Sequence, residues 1–137
     1  MNSKGPADVA LEFVERINAG DLEGLTALMT EDHTFVDLAG DIERGREVMR
    51  EGWAGYFSAF PEYTIHVSRV AALGNVVIII GGTTGSQIPP EIEARESVIW
   101  AARIEDGLVA EWHIVYTDTE KVKEFLGWDP GQENEDL

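Results

Sequence analysis

The chain has 137 residues, which is room for one compact domain and not for two ordinary ones. Its formal net charge of -16 opposes binding to nucleic-acid phosphates or anionic lipid, both of which need basic patches. It has no cysteine, which excludes disulfides, thiolate metal sites and a cysteine nucleophile and fits a reducing compartment.

The first predicted element is a helix over 6–19. Pro6 suits its first turn, and Val9, Phe13, Val14 and Ile17 recur at helical spacing. Gly20 stops it, and Asp21 can cap a second helix whose apolar stripe is Leu22, Leu25, Leu28 and Met29. A strand over 33–38 follows at once. "AGDIERG", 39–45, reads as a polar connection. A third helix fits 46–59, with Val48, Met49, Trp53 and Phe57 on one side; Gly52 and Gly55 weaken it, and Phe60-Pro61 ends it.

Four strand-like runs come next, at 63–73, 76–84, 93–104 and 108–117. Gly74-Asn75, Pro89-Pro90 and Asp106-Gly107 divide them, and the Asp-Gly pair is the strongest hairpin signal in the chain. A short helix, "DTEKVKEFLGW", closes an ordered domain over 1–127, and 128–137 reads as an acidic tail. Helices bunched first and strands later argue for an α+β fold, with helices on one face of a curved antiparallel sheet. No basic and apolar leader opens the chain, and the most apolar run, "VVIII" at 76–80, is too short to span a bilayer. A cytoplasmic domain is therefore expected, with no nucleic-acid or membrane partner.

"NAGDLEGLTALMTEDHTFVD", then "FPEY", then "DGLVAEWHIVYTDTEKVKEFLG" together resemble the SnoaL-like branch of the nuclear-transport-factor-2-like superfamily, over about residues 7–127. The resemblance implies a cone: a strongly curved sheet wraps the N-terminal helices and encloses an apolar pocket. Its members include ketosteroid isomerases, polyketide cyclases and epoxide hydrolases, and others that only bind or dimerise. Aligned on "NAGDL", Asp37 falls on the isomerase's catalytic base. That enzyme's oxyanion-hole tyrosine falls on Phe13, and its protonated carboxylic acid at about Trp100, so both donors to the enolate are absent. The cyclase branch places an acid on a later strand, and the nearest matches lie between His113 and Asp118. The epoxide hydrolase pattern of Asp-Arg-Asp fails, because neither Arg95 nor Arg103 has an aspartate two residues away.

Read from the residues, "HTFVDLAG" alternates so that His33, Phe35 and Asp37 share one side. An aromatic beside a carboxylate suggests a pocket wall, where Asp37 would serve as a general base; the alternative is a strand-end aspartate that ties its own turn. His33 lies about 13 Å from Asp37, too far for a dyad, and is expected at the rim. In the last strand Trp112, Ile114, Tyr116 and Asp118 share one face, and Glu111, His113 and Val115 the other. His113 turns inward only if a bulge shifts the register. Asp118 reads first as the cap of the final helix and second as an acid.

Phe13, Phe35, Trp53, Phe57, Trp100 and Trp112 are expected to line the pocket, with Tyr116 a possible hydrogen-bond donor. The three histidines lack ligand spacing, and "GGTTG" at 81–85 lacks the context of a phosphate loop; its glycines permit a bulge where the sheet curves. The expected function is a pocket for a small apolar molecule with cofactor-independent acid–base chemistry of isomerase, cyclase or hydratase type, and Asp37 as base. The rival is a non-catalytic binding or dimerisation domain. A homodimer through the sheet is expected in either case.

Overall fold

A computed structural model of the protein describes residues 5–116. Helix α1 (Pro6–Ala19) starts at a proline and stops at Gly20, whose φ of 64° is the left-handed conformation that a side chain would resist. Asp21 then caps α2 (Leu22–Ala27) by accepting from the Gly24 amide at 3.0 Å. The stripe expected to continue through Met29 breaks there. Met29 instead opens β1 (Met29–Val36), because its backbone registers against Val109 of β6 (Leu108–Tyr116).

The polar connection after β1 contains structure of its own. A turn over 37–41 leads into the short strand β2 (Ile42–Arg44), which pairs antiparallel with β1. Helix α3 (Arg46–Ala59) matches its expected bounds despite two glycines, because Met49 and Trp53 are buried against the sheet and tertiary packing outweighs propensity.

Strands β3 (Thr64–Leu73) and β4 (Val76–Thr84) form the first long hairpin. The run expected as a strand from 93 begins with a helical turn instead. Pro90 is pre-set for a helix start, so α4 (Pro90–Glu93) forms and β5 (Val98–Glu105) starts later. The β5–β6 hairpin turns on Asp106 and Gly107, with φ of 53° and 78° at the two turn residues, as a type I′ turn demands.

The six strands form one sheet in the order β2-β1-β6-β5-β4-β3. It is mixed rather than wholly antiparallel, since β1 runs parallel to β6. Helix α1 lies across β3 to β6, and α3 lies on β1 and β2. The main core fills the space between helices and sheet, around Phe13, Ile17, Leu25, Met29, Ile79, Trp100 and Trp112. A smaller apolar cluster of Ile78, Ile80, Ile99 and Val115 sits on the opposite sheet face.

Among the described residues, four register breaks interrupt the sheet, one between β1 and β6, one in β3 and two in β6. In β3 the register slips between Val67 and Arg69, opposite Gly81. A Cβ at Gly81 would lie 1.9 Å from the His66 carbonyl oxygen, so the glycine is required by the bulge, as expected from "GGTTG". In β6 one slip falls at Val115, between the pairs Ile99–Tyr116 and Trp100–Ile114, and another at Ala110, between Arg103–Glu111 and Ile104–Val109. The segment expected as a final helix, with Asp118, lies outside the described residues.

Candidate functional site

The ladder fixes which side chains share the concave face. Glu43, Phe35, Trp112 and Ala102 lie in one line across β2, β1, β6 and β5, and Trp100 pairs with Ile114 beside them. Helix α3 roofs this surface with Met49, Gly52, Trp53 and Tyr56. Between them is a cavity of about 730 Å³, open to solvent on one side. Phe35, Trp53, Tyr56, Tyr63, Trp100 and Trp112 form aromatic walls. The rings brace one another: Trp53 meets Phe35 and Tyr56 edge-on at 6.5 and 6.1 Å, and Trp100 stacks on Trp112 at 6.3 Å. Trp53 and Trp100 therefore wall the space without filling it.

Asp37 lines this cavity together with Phe35, so the shared face read from the alternation is a cavity wall. Asp37 also ties its turn. Its Oδ1 accepts from the Asp41 amide at 2.9 Å, and its own carbonyl accepts from the Gly40 amide. Asp37 thus borders the cavity and also ties its turn. Its partly exposed position, with exposed Glu43 and Glu51 as further lining residues, puts three carboxylates toward the solvent side.

At the other end is a polar corner that the sequence reading missed. Glu93 is 6 % exposed, and its Oε2 accepts from the Thr83 hydroxyl at 2.6 Å and the Ser86 amide at 3.3 Å. Burial alone would raise the pKa of Glu93. The hydrogen bonds from Ser86, Thr83 and Gly85 outweigh it and hold the carboxyl below its usual range. Thr83, Ser86 and Gln87 line the cavity above it, and Tyr56 donates to Gln87 Oε1 at 2.6 Å. Burial raises the hydroxyl pKa of both Tyr56 and Tyr63, so both stay neutral, with the nearby Glu93 charge adding to the effect. The only sequence signal for this corner was Pro89-Pro90 ahead of two glutamates, which marks a turn and not a buried acid.

The remaining candidates divide. Phe13 is fully buried and packs on Trp112 at 4.8 Å, so it is core beneath the cavity and not lining. Phe57 backs Trp53 at 5.5 Å from behind the wall. His113 registers opposite Ala101 on the convex face and sits 3.5 Å from Glu111; the bulges at Ala110 and Val115 flank it and do not turn it inward. The backbone of Tyr116 registers against Ile99, and its side chain is outside the described residues. His33 is the largest correction. It is 0 % exposed, not at the rim, because β1 begins at Met29 and places it mid-strand. Its Nδ1 donates to the Val109 carbonyl at 2.7 Å, while Nε2 is buried without a partner. Burial lowers its pKa, against the opposing pull of the Val109 carbonyl, Glu111 and Asp32, so the ring is neutral. Among the described residues, no group of three or more histidines and carboxylates could hold a metal ion, and no helix is long and apolar enough to cross a membrane.

A curved sheet packed against helices is the fold that the sequence resemblance implied. The sequence profile of the SnoaL-like domain matches residues 10–112, most of the chain. The protein belongs to the SnoaL-like domain family. Solved structures of this fold include an uncharacterized cystatin-fold protein from Novosphingobium aromaticivorans, with TM-score 0.72 and 19% identity, covering 83% of this chain and 100% of that one. A candidate polyketide cyclase from Sinorhizobium meliloti aligns at TM-score 0.68 and 17% identity, over 78% of this chain and 93% of that one. A candidate ketosteroid isomerase from Kribbella flavida aligns at TM-score 0.65 and 17% identity, over 82% and 78%. At these identities the likeness is one of fold. No curated protein matches the chain. In this SnoaL-like domain the cavity lies where the sheet's concave face meets α3, with Asp37 at one end and the Glu93 corner at the other.

Proposed function

We propose that the protein binds a small apolar molecule in the aromatic cavity and that Asp37 acts on it as a general base. The observation that carries this reading is the cavity itself: about 730 Å³, walled by six aromatic residues, with the Asp37 carboxylate beside Phe35 in its lining. Asp37 Oδ1 is held by the Asp41 amide, which fixes the carboxylate and leaves Oδ2 as the basic atom. In the reaction, Oδ2 takes a proton from a carbon or hydroxyl of the ligand, and the electron pair remains on the ligand. The carboxyl returns the proton at a second position, as an isomerisation or cyclisation requires. Relatives named as candidate cyclase and isomerase support this class of chemistry without specifying a substrate.

The rival reading is binding without catalysis. It is favoured by the same Asp37–Asp41 bond, which gives the residue a purely structural use, and by the replacement of the isomerase's enolate donors at Phe13 and Trp100. The two readings separate by proton exchange. Small molecules that copurify with the protein are identified by mass spectrometry, and their exchange with D₂O is followed with wild type and Asp37→Asn. General-base catalysis predicts exchange slowed by about 10²- to 10⁴-fold in the variant, with the ligand still bound. Equal exchange in both proteins would leave binding alone.

The proposal includes a homodimer through the convex sheet face, where Ile78 and the strongly exposed Leu73 lie. Light scattering at micromolar concentration tests it, and a monomer there would exclude the dimer.

A further inference from the structure

The charged groups around the cavity are biased in one direction. The charged residues in its described lining are Asp37, Glu43 and Glu51, all carboxylates; no lysine, arginine or histidine joins them. The hydroxyls are committed as well. Thr83 spends its proton on Glu93 and Tyr56 spends its proton on Gln87, each at 2.6 Å, so both oxygens face the cavity as acceptors. The Ser86 hydroxyl is also engaged, bonding Glu93 and accepting from the Ile88 amide at 3.1 Å, whereas Tyr63 keeps a neutral hydroxyl that can accept or donate. Buried Glu93 adds negative potential behind the Thr83 wall. The aromatic walls act in the same sense, since ring faces attract cations and not anions. A chain of net charge -16 adds a long-range field of the same sign.

We propose that this cavity selects its ligand by charge: it takes an aromatic or apolar body bearing a cationic head, a protonated or quaternary amine, and rejects the matching carboxylate. The body lies among Trp53, Trp100 and Trp112, and the head rests toward the mouth, between ring faces and the carboxylates of Asp37, Glu43 and Glu51. This inference rests on the cavity being a ligand site and adds the chemical class of ligand.

The test uses three naphthalene compounds that differ only in the head: naphthylmethyl-trimethylammonium, naphthylmethanol and naphthoate. Each is titrated into the full chain by calorimetry at low salt and again at 0.5 M salt. The expected order is ammonium tightest, alcohol about tenfold weaker, and carboxylate weaker still. High salt should narrow the spread, because the mouth carboxylates are solvent-exposed and screened. A Glu43→Gln/Glu51→Gln double variant should bring the ammonium-to-alcohol ratio toward one. Equal affinities for all three heads, or an alcohol that binds tighter than the ammonium, would overturn the charge selectivity while leaving the ligand site standing. Failure of all three to bind would overturn the cavity as a ligand site and the inference with it.

Discussion

Single residues here carry two roles, and pH separates them. His33 is neutral and buried, with a pKa below its ordinary value of 6.5. The unfolded chain therefore binds a proton that the folded chain refuses. Stability should be complete above about 6.5 and should fall as pH drops beneath it, down to the lower folded value. Glu93 acts at lower pH. Its folded pKa lies below 4.5, so its contribution is present above that value and is lost as pH falls through the folded pKa. Thermal melts of wild type and His33→Phe should show the slope between pH 6.5 and 5 reduced in the variant; an unchanged slope would remove His33 as its cause. Glu93→Ala strands the Thr83 hydroxyl and the Ser86 amide, and should cost about 1–3 kcal/mol by urea unfolding at pH 7. A loss no greater than at an ordinary surface site would mean that the corner is not held by this carboxylate.

At the scale of elements, the chain is legible where a local rule agrees with packing and obscure where a distant pairing decides. Pro6, Gly20, Asp21 and Asp106-Gly107 each enforce a local geometry, and the elements they bound form as expected. The start of β1 is set instead by its parallel pairing with β6, some eighty residues on, and no local pattern in "MTED" announces it. That is why local pattern puts His33 at the rim whereas the fold buries it mid-strand. The place of Asp37 and Trp112 in the cavity lining was legible because alternation puts Phe35 beside Asp37 and Trp112 beside Ile114. Glu93 was not, since its burial follows from how the 85–93 segment folds back on Thr83. The bend at Gly81 gives an element-scale test. Gly81→Ala puts a methyl within 1.9 Å of a backbone oxygen, so β3 and β4 must part or re-register. A drop in melting temperature well beyond that of an ordinary surface substitution is expected, and a melt within a degree or two of wild type would mean that the bulge is not required.

For the molecule as a whole, the hollow between sheet and helices is the feature on which the proposed function rests. Filling that hollow with Trp53 and Trp100 would have given a more ordinary core. Instead the rings stand as walls and leave about 730 Å³ open, at a cost in packing that a ligand would offset. The central claim is that this space holds an apolar molecule. Gly52 lies in the lining on α3, and a Cβ there meets nothing nearer than Met49 Cε at 4.0 Å, so Gly52→Phe should plug the space while keeping the helix. The direct measurement is a fluorescence titration with N-phenyl-1-naphthylamine, a neutral apolar dye that brightens when it leaves water. The account predicts saturable binding at one site per wild-type chain and its loss in Gly52→Phe, with the melting temperature of the variant not lowered. Equal binding by both proteins, or none by the wild type, would contradict it.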